Sequence, residues 1–469
     1  MRLDLLFLIL ALPGSGATAV AETAPKPLDK VQVLALLAGG VSSQRVAMLV
    51  EQRGIDFEPT DDYFRSLGVA GAEETLHKAL RAAKPVNLPT IDAAKEAKRT
   101  ELEEHLRQGV ELSQRKMYKE AEEEYRAAIK LDPPNASLHT ALGAALFYQK
   151  KTDGALATYR EAVRLAQVDP ERDDSSEALV RIQLASFLAL TGNIEASVAE
   201  FRQLVRLKPS DRLGALAHAE YGSLLLQRGD IDPAIAEFRE SVHLLPQWDL
   251  AHIGLGMALN LKGDRNSAIE EYRQAVSINP DNPEAHRMLG LALSINGNQV
   301  GAASELYALT RLRPDDPTAH LSLADVLALR NDVEGAIAEY SEVLRLKPDL
   351  AEAYVGLGRM LSTKTDYDGA IGKFREAIRL KPDHAEAHLK LGSLLYAVKR
   401  NYEGAAAEYR EAIRLKPDYA HAHFLLGFYH EQMKDRRAAL SEFRTAHLLD
   451  PNNPKYRREY ERLLRKVRN

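Results

Sequence analysis

A unit of about 34 residues recurs along most of this 469-residue chain, and this repetition limits the possible folds more than any other feature. The segment Ile413–Asp418 reads Ile-Arg-Leu-Lys-Pro-Asp and occurs again at Ile378–Asp383 and, with Leu in first place, at Leu344–Asp349. Extending the alignment outward predicts ten units, which begin at residues 102, 136, 178, 215, 249, 283, 317, 351, 385 and 420 and end at 453. Units of this length are typical of solenoids, in which each unit buries its apolar face against its neighbours.

Extra residues interrupt the period at three places. Eight follow the second unit, three follow the third, and one lies inside the ninth. The acidic segment Asp169–Glu177 contains the first of these insertions. We interpret it as a tolerated insertion, because lengthening a surface loop costs little; a functional loop is the alternative.

Four positions of the unit have a nearly fixed residue type, and together they predict two helices per unit. Position 8 is Gly or Ala, position 20 is Ala or Ser, position 24 is aromatic in nine units, and position 32 is Pro in nine. Small residues let two helix axes approach, and the aromatic ring fills the space that they leave. Proline ends the second helix. We expect Asp349 and Asp383 to cap the next helices, because Glu352 and Glu386 stand at capping-box spacing from them.

This pattern resembles the tetratricopeptide repeat (TPR) family over residues 102–453. The resemblance implies an all-α fold, a right-handed superhelical solenoid of helical hairpins. One departure is systematic, because position 4, aromatic in the family, is histidine in eight units. These histidines are His105, His139, His218, His252, His286, His320, His388 and His423. The two other units carry Arg181 and Tyr354.

The row of histidines does not predict a metal site. Ligands must lie about 2 Å from one ion, whereas these residues belong to successive repeats whose helix axes are already about 8–10 Å apart. We interpret them as half-buried packing residues. If they are buried and neutral, their pKa should be lowered, and the protein should lose stability as the pH falls through about 6.5.

The segments that flank the repeats each have a separate interpretation. Residues 1–21 predict a signal peptide, with an apolar run before the small-residue site Ala19-Val20-Ala21, and hence a periplasmic or secreted protein with no transmembrane segment after cleavage. Residues 28–83 predict a small domain of four helices, and residues 84–101, which contain two prolines, predict a linker. Residues 454–469 predict a capping helix for the last repeat, whose basic surface is either solvated or a docking site for an anionic partner.

Composition and missing motifs exclude several classes of function. The chain has no cysteine, which excludes thiolate chemistry, and its formal net charge of −5 does not favour a nucleic-acid partner. Phosphate-binding loops and nucleophile elbows are absent from the sequence, and the paired glycines at Gly254 and Gly356 stand inside predicted helices, where they serve packing. We therefore expect no cofactor and no metal.

The resemblance also implies an inner groove lined by positions 2, 5, 9, 12 and 13 of each first helix. The predicted partner-binding residues at these positions are Thr140, Ala144, Phe147, Tyr148, Ile182, Ile253, Met257, Arg287, Leu321, Asp325, Val355, Arg359, Leu389, Tyr396, Phe424 and Phe428. Most are apolar, which suits an extended peptide or a partner helix. Arg287, Asp325 and Arg359 would set its register. The alternative for each residue taken singly is that it packs between repeats and contacts no ligand.

The sequence therefore predicts an exported, non-enzymatic scaffold that binds a peptide or partner protein along the groove. A structural component of envelope assembly, or one associated with polysaccharide, is an alternative that rests on fold analogy. A second alternative is an enzyme with its chemistry in residues 28–83. That segment contains Asp56, Asp61, Asp62 and His77, but no recognisable catalytic constellation.

Overall fold

A computed structural model of the protein describes residues 27–38, 41, 43–69, 72–83, 93–168, 174–208 and 211–468. The predicted signal peptide and residues 84–92 of the predicted linker lie outside these ranges. In the described ranges the fold is all-α, with one isolated backbone pairing between Leu28 and Ile55. None of the helices in these ranges combines the length and the apolar character needed to cross a bilayer.

The chain divides into two compact units, Met1–Pro280 and Asp281–Asn469. The first contains α1 Lys30–Ala38, α2 Ser43–Arg53, α3 Asp61–Val69, α4 Glu74–Ala82, α5 Ala93–Gln114, α6 Tyr118–Leu131, α7 Ala136–Tyr148, α8 Thr152–Val168, α9 Asp174–Leu190, α10 Ile194–Arg206, α11 Asp211–Arg228, α12 Ile231–Leu244, α13 Asp249–Lys262 and α14 Arg265–Ile278. The first four of these helices are the ones predicted between residues 28 and 83.

The second unit contains the remaining helices. They are α15 Pro283–Ile295, α16 Gln299–Leu312, α17 Pro317–Leu329, α18 Val333–Leu346, α19 Ala351–Thr363, α20 Tyr367–Leu380, α21 Ala385–Ala397, α22 Tyr402–Leu415, α23 Ala420–Gln432, α24 Arg436–Leu449 and α25 Pro454–Arg468. From α5 to α24, each first helix packs along the second helix of its own repeat. The described residues therefore contain ten helix pairs, one for each predicted repeat.

Glycine at position 8 packs against the aromatic ring at position 24, as the sequence predicts. A Cβ atom on Gly256 would stand 2.6 Å from Cε1 of Tyr272, and one on Gly358 would stand 2.8 Å from Cε1 of Phe374. Both rings are almost completely buried. Gly254, at position 6, lies equally close to the ring of Phe238, which belongs to the preceding repeat. The ring of Phe238, which also lies 3.0 Å from a Cβ atom placed on Gly222 of its own repeat, is thus held between its own repeat and the next.

The turn inside each repeat places position 15 in the left-handed region. Gly192, Gly229, Gly263 and Gly297 occupy this position in repeats 3 to 6, with φ between 83° and 94°. Other repeats put a residue with a side chain there, including Thr365 at φ 65°. A β-branched residue is strained in this region, whereas glycine is not.

The predicted capping boxes are wrong by one residue. The N-cap residues of α19 and α21 are Leu350 and His384, and not Asp349 and Asp383. The amide of His384 donates to the carbonyl of Lys381 at 3.1 Å, which closes a turn that holds Asp383 outside the helix. The proline turn therefore ends one residue later than the sequence pattern suggests.

Three first helices begin earlier than the repeat boundaries predict. Helix α5 begins at Ala93, inside the predicted linker, and α9 and α11 begin four residues before repeats 3 and 4, at Asp174 and Asp211. Residues 174–177 of α9 and 212–214 of α11 are extra residues that interrupt the 34-residue period. These two insertions therefore lengthen helices.

The predicted C-terminal helix is present as α25 and packs on the last repeat. Tyr456 and Leu463 are buried, and the ring of Tyr456 lies 4.7 Å from that of Phe424 between centroids. Arg462 forms ion pairs with Glu431 of α23 and with Glu459 of its own helix. The helix thus covers apolar side chains that the last repeat alone would expose.

Candidate functional site

We use the name inner face for positions 2, 5, 9, 12 and 13 of the first helices, which the sequence predicts to line the groove. Position 5 is mostly interior. Six predicted residues at this position are buried, namely Thr140, Ile182, Ile253, Val355, Leu389 and Phe424. Arg287 and Leu321 occupy the same position and are half-buried. Side chains at position 5 therefore contribute mainly to packing.

Positions 9, 12 and 13 supply the accessible part of the inner face. The predicted residues that are half-buried there are Ala144, Phe147, Met257, Tyr396 and Phe428, and the exposed ones are Tyr148, Asp325 and Arg359. A side chain must be at least partly accessible to contact a ligand. These eight residues are therefore better placed for binding than the buried set at position 5.

Position 13 carries exposed apolar residues that the predicted set omits. In the first unit these are Leu190 and Leu261, and in the second they are Ile295 and Leu329, each at least half exposed. The sequence contains the signal, because position 13 is one of the predicted groove positions and is apolar in several repeats. Solvent exposure at this position is a feature that only the structure displays.

Two charged side chains stand on the inner face of the second unit, at position 9 of repeats 7 and 8. The hydroxyl of Tyr340 donates a hydrogen bond to Oδ1 of Asp325 at 2.6 Å. Burial, together with the Asp325 carboxylate, raises the pKa of Tyr340 well above its ordinary value, so the hydroxyl keeps its proton. This bond fixes Asp325, while Arg359 of the next repeat is exposed.

The next two repeats of the second unit present aromatic side chains. The ring of Tyr396 meets that of Tyr402 edge to face, with 5.1 Å between centroids, and its hydroxyl points to the carbonyl of Phe428 at 3.4 Å. The ring of Phe428 in turn packs edge-on against Phe424 and Phe443. These contacts hold two half-buried rings in fixed orientations.

In the first unit, the N-terminal helices lie against the inner face. Helix α1 packs on α5 and α7. A small cleft between these parts is lined by Ala35, Leu36 and Val41 from the N-terminal segment and by Ser137, Thr140, Leu179, Val180 and Gln183 from repeats 2 and 3. Ser137 and Thr140 stand at positions 2 and 5. Thr140, predicted to bind a partner, therefore faces the protein's own N-terminal segment.

Helix α2 extends these contacts to repeats 3 and 4. Arg45 forms an ion pair with Glu220 of α11, and the side chains of both are nearly buried. Arg212 of α11 pairs with Glu51 at 2.7 Å, and Nη1 of Arg53 donates to the hydroxyl of Ser176 at 3.2 Å. The N-terminal helices thus reach the first helices of the four opening repeats.

The histidines at position 4 form a repeated contact that we call the His–Glu clasp. In seven repeats Nδ1 lies 2.6–2.7 Å from a carboxylate oxygen of the glutamate at position 23. In His252, His320, His388 and His423, Nε2 also lies 2.9–3.1 Å from the carbonyl of the proline that ends the preceding repeat. Carboxylate and carbonyl oxygens only accept hydrogen bonds, so both ring nitrogens donate when the imidazole is protonated.

The expected lowering of the histidine pKa is wrong in direction for these four residues. Burial alone lowers the pKa of His252 and His320, but the hydrogen bonds to the glutamate and the proline carbonyl outweigh burial and leave the pKa raised. For His388 and His423 the hydrogen bond to the glutamate is the largest cause, and the pKa is again raised. The acceptor groups, which the sequence analysis did not identify, decide the sign.

The two repeats without histidine support this interpretation. In repeat 3 Arg181 replaces the histidine with a permanent cation and pairs with Glu200, at position 23, at 2.6 Å. In repeat 8 Tyr354 carries no charge, and position 23 is Lys373, whose Nζ lies 5.6 Å from the centre of the Tyr354 ring. In these two repeats, position 23 is thus acidic opposite a permanent cation and basic opposite an aromatic ring.

The residues of the predicted enzymatic alternative have separate neighbours. Oδ1 of Asp56 lies 3.6 Å from Nη2 of Arg99, whereas His77 packs edge-on against Phe64. Asp61 is exposed at the start of α3, and the side chain of Asp62 lies outside the described residues. The structure does not bring Asp56 and His77 into contact with each other.

Comparison with known families identifies the repeats. A model described as tetratricopeptide repeat matches residues 184–247 and 355–420, and one described as TPR repeat matches residues 109–149, 256–297 and 324–362. Together the matched segments cover just over half of the chain. The chain belongs to the tetratricopeptide repeat family. This confirms the family predicted from the spacing of small and aromatic residues.

Solved structures similar to this TPR protein include three with different coverage. YrrB, a TPR protein described as having an unusual peptide-binding site, is 22% identical, covers 37% of this chain and 89% of its own, and has a TM-score of 0.35. A TPR protein from Parabacteroides merdae is 14% identical over 54% of this chain and 99% of its own, with a TM-score of 0.45. The Cut9–Hcn1 hetero-tetramer structure of the APC/C is 12% identical over 80% of this chain and 99% of its own, with a TM-score of 0.41.

No curated protein sequence matches this TPR protein. Its general class of function follows from the family, because TPR repeats form protein-interaction scaffolds. The fold of the described residues agrees with that class, since each compact unit contains helix pairs that stack on one another.

Proposed function

We propose that this TPR protein is a non-enzymatic scaffold that binds an extended segment of a partner protein along the inner face of repeats 7–10. The observation that carries the proposal is the row of residues at position 9 of these repeats. It consists of Asp325, Arg359, Ser393 and Phe428, each exposed or half-buried. These four residues belong to one compact unit and occur once per repeat.

The chemistry of this row suits an extended peptide. Such a ligand has backbone amides and carbonyls that need polar partners and side chains that need apolar pockets. Asp325 and Arg359 supply two charges of opposite sign, which would fix the register and direction of the ligand. Tyr396 and Phe428 supply rigid aromatic surface, the kind of side chain that dominates binding energy at interfaces.

The proposal can be tested with peptides selected from a random displayed library against the full-length protein. Charge reversals at Asp325→Lys and Arg359→Glu should each weaken the selected peptides about tenfold or more, because each places an unfavourable charge beside the bound ligand. Arg379→Glu provides a matched control, since Arg379 is exposed on the second helix of repeat 8. It should leave the affinity unchanged.

Peptides that bind both reversal variants as tightly as the original protein would contradict this placement of the site. Selected peptides that lose affinity in Arg379→Glu instead would move the site to the second helices. Circular dichroism of each variant establishes that the helices persist.

Export forms a separate part of the proposal. Residues 1–21 lie outside the described residues, so the sequence pattern alone supports cleavage after Ala21. We expect the protein purified from a cell envelope or a culture medium to begin at Glu22. Recovery of the uncleaved chain from the cytoplasm alone would contradict export.

A further inference from the structure

We propose that residues 28–83 form a removable cover on the inner face of repeats 1–4, and that the uncovered face binds an apolar helix with basic residues at its flank. The proposal rests on the proposed function only in assuming that inner faces bind protein segments. It concerns the first unit, whereas the proposed peptide site lies in the second.

The insertions in the repeat pattern give the first support. Among the described residues, Ser176 and Arg212 lie in the added first turns of α9 and α11, within the residues that break the 34-residue period. Both contact α2, through Arg53 and Glu51. Repeats 3 and 4 therefore depart from the common unit at the points where they meet the N-terminal helices.

The residues at position 2 give the second support. This position is leucine in repeats 3 and 4, where Leu179 and Leu216 are buried. Leu179 shares a cleft with Leu36 and Val41 of the N-terminal segment. The inner face of these repeats is thus apolar at a position that contacts the cover.

The contacts define the chemistry of a ligand that could replace the cover. At the centre, small and branched apolar side chains of the cover, including Ala35 and Val41, line one small cleft together with Thr140 and Leu179. At the flank, the guanidinium of Arg45 meets the carboxylate of Glu220, which also lies 3.5 Å from the hydroxyl of Ser186. A replacement helix would need small apolar residues on one face and an arginine or lysine that reaches Glu220.

The helices of the cover also contact one another, as a body that leaves together requires. The rings of Phe57 and Tyr63 pack edge to face with 5.0 Å between centroids, and the Tyr63 hydroxyl donates to the carbonyl of Lys30 at 3.1 Å. Its contacts with the repeats combine ion pairs at Arg45 and Glu51 with the apolar side chains of Val31 and Ala35, which are buried in one core cluster with residues of repeats 1 to 3. The ion pairs add little to the stability of this contact, because the cost of removing charges from water offsets much of their attraction and exposed pairs contribute little.

Hydrogen exchange in the full-length protein tests whether the cover can separate. Arg45→Glu and Glu220→Arg each place like charges together, so amides of α1 and α2 should exchange about tenfold faster or more. The double variant Arg45→Glu/Glu220→Arg restores opposite charges and should restore slow exchange. Glu240→Arg is the matched control, because Glu240 is exposed on the second helix of repeat 4.

Exchange of the amides in α13 and α14 distinguishes a separable cover from an integral part of the core. Slow exchange there in both single variants, with fast exchange in α1 and α2, supports the proposal. If the single variants accelerate α13 and α14 equally, the N-terminal helices belong to one cooperative core and the proposal is wrong. Unchanged exchange throughout would also overturn it.

A labelled peptide of residues 28–56 tests the binding half of the proposal. It should bind the full-length Arg45→Glu protein about tenfold more tightly or better than the original protein, whose face is occupied. Glu51→Cys/Arg212→Cys, bridged by a short bis-maleimide in a chain that has no other cysteine, should not bind it.

Equal binding of the peptide to the bridged and the Arg45→Glu proteins would overturn the proposal, as would binding to neither the original nor the Arg45→Glu protein. These results are separable from the proposed function. Peptides that bind at Asp325 and Arg359 should bind the bridged protein with unchanged affinity, whatever the result at the first unit.

Discussion

The same position of the TPR unit has opposite surroundings in two regions of this protein. In repeats 3 and 4, position 2 is Leu179 and Leu216, both buried. In repeats 7 and 8, it is Thr318 and Glu352, both exposed. In the first region the N-terminal helices lie against this face, whereas in the second region it faces solvent in the described structure.

This difference shows that position within a repeat does not by itself define a binding residue. The interior of the repeat is similar in both regions, because glycine at position 8 meets an aromatic ring in each region. The inner face varies with the segments that pack on it.

The largest expected effect is at the covered face. Leu179→Glu buries a carboxylate among apolar side chains and should reduce the free energy of unfolding by about 3 kcal/mol. The reverse change, Glu352→Leu, removes one surface ion pair with Lys381 and should alter stability by less than about 1 kcal/mol. Urea unfolding followed by circular dichroism measures both; similar costs for the two changes would remove the distinction between the regions.

The interior of the repeats should respond alike to mutation in the two compact units. Gly256→Ala and Gly358→Ala each force a methyl group against a buried ring and should cost about 1–3 kcal/mol. Gly372→Ala is the matched control, since a Cβ atom there meets nothing within 4 Å, and it should stabilise α20 by about 0.5–1 kcal/mol. Thermal melting measures whether each variant is stabilised or destabilised. A loss of stability in only one of Gly256→Ala and Gly358→Ala would mean that the interiors differ.

The His–Glu clasps should make the protein more stable at mildly acidic pH. His388 faces Glu408, the Pro382 carbonyl and, farther away, Glu411, and its pKa is raised. A raised pKa in the folded state gives stability that is complete below the unfolded value of about 6.5 and is lost as the pH rises through the folded pKa. The protein should therefore gain free energy of unfolding between about pH 8 and about pH 6, and His388→Gln should reduce this gain by roughly 1 kcal/mol.

His139→Gln provides the control for that experiment. His139 occupies the same position, but position 23 of its repeat is Thr158, and its ring contacts only the Pro133 carbonyl among the hydrogen bonds of the described residues. Its replacement should leave most of the pH dependence in place. Melting temperatures that fall between about pH 8 and about pH 6 in the original protein would contradict the clasp, because carboxylate titration lies lower.

The smallest effect is expected at the turns. Position 15 is Gly192, Gly229 and Gly263 in repeats 3 to 5, whereas Thr365 adopts the same left-handed conformation in repeat 8. Thr365→Gly should relieve strain and stabilise the protein by about 0.5–1 kcal/mol, while Gly263→Thr should cost a similar amount or more. Differential scanning calorimetry of both variants measures these changes. A lower melting temperature for Thr365→Gly would refute the prediction.

The sequence by itself determined the helix pairs, their number and the packing of glycine against aromatic rings. These features depend on contacts within one unit or between neighbours, so the spacing of side chains along the chain encodes them. The sequence also carries a trace of the clasp, because position 23 is Glu opposite seven of the eight histidines and Lys373 where the histidine becomes Tyr354.

Only the tertiary structure decided which parts of the inner face are buried. The contact of Ala35 with the cleft that holds Thr140 joins residues more than a hundred positions apart, and no spacing within a repeat encodes it. The sign of the histidine pKa shifts depended equally on geometry, because the direction follows from which acceptors lie within hydrogen-bond distance of each ring nitrogen. Periodicity fixes local packing, whereas exposure and charge state depend on everything that surrounds a side chain.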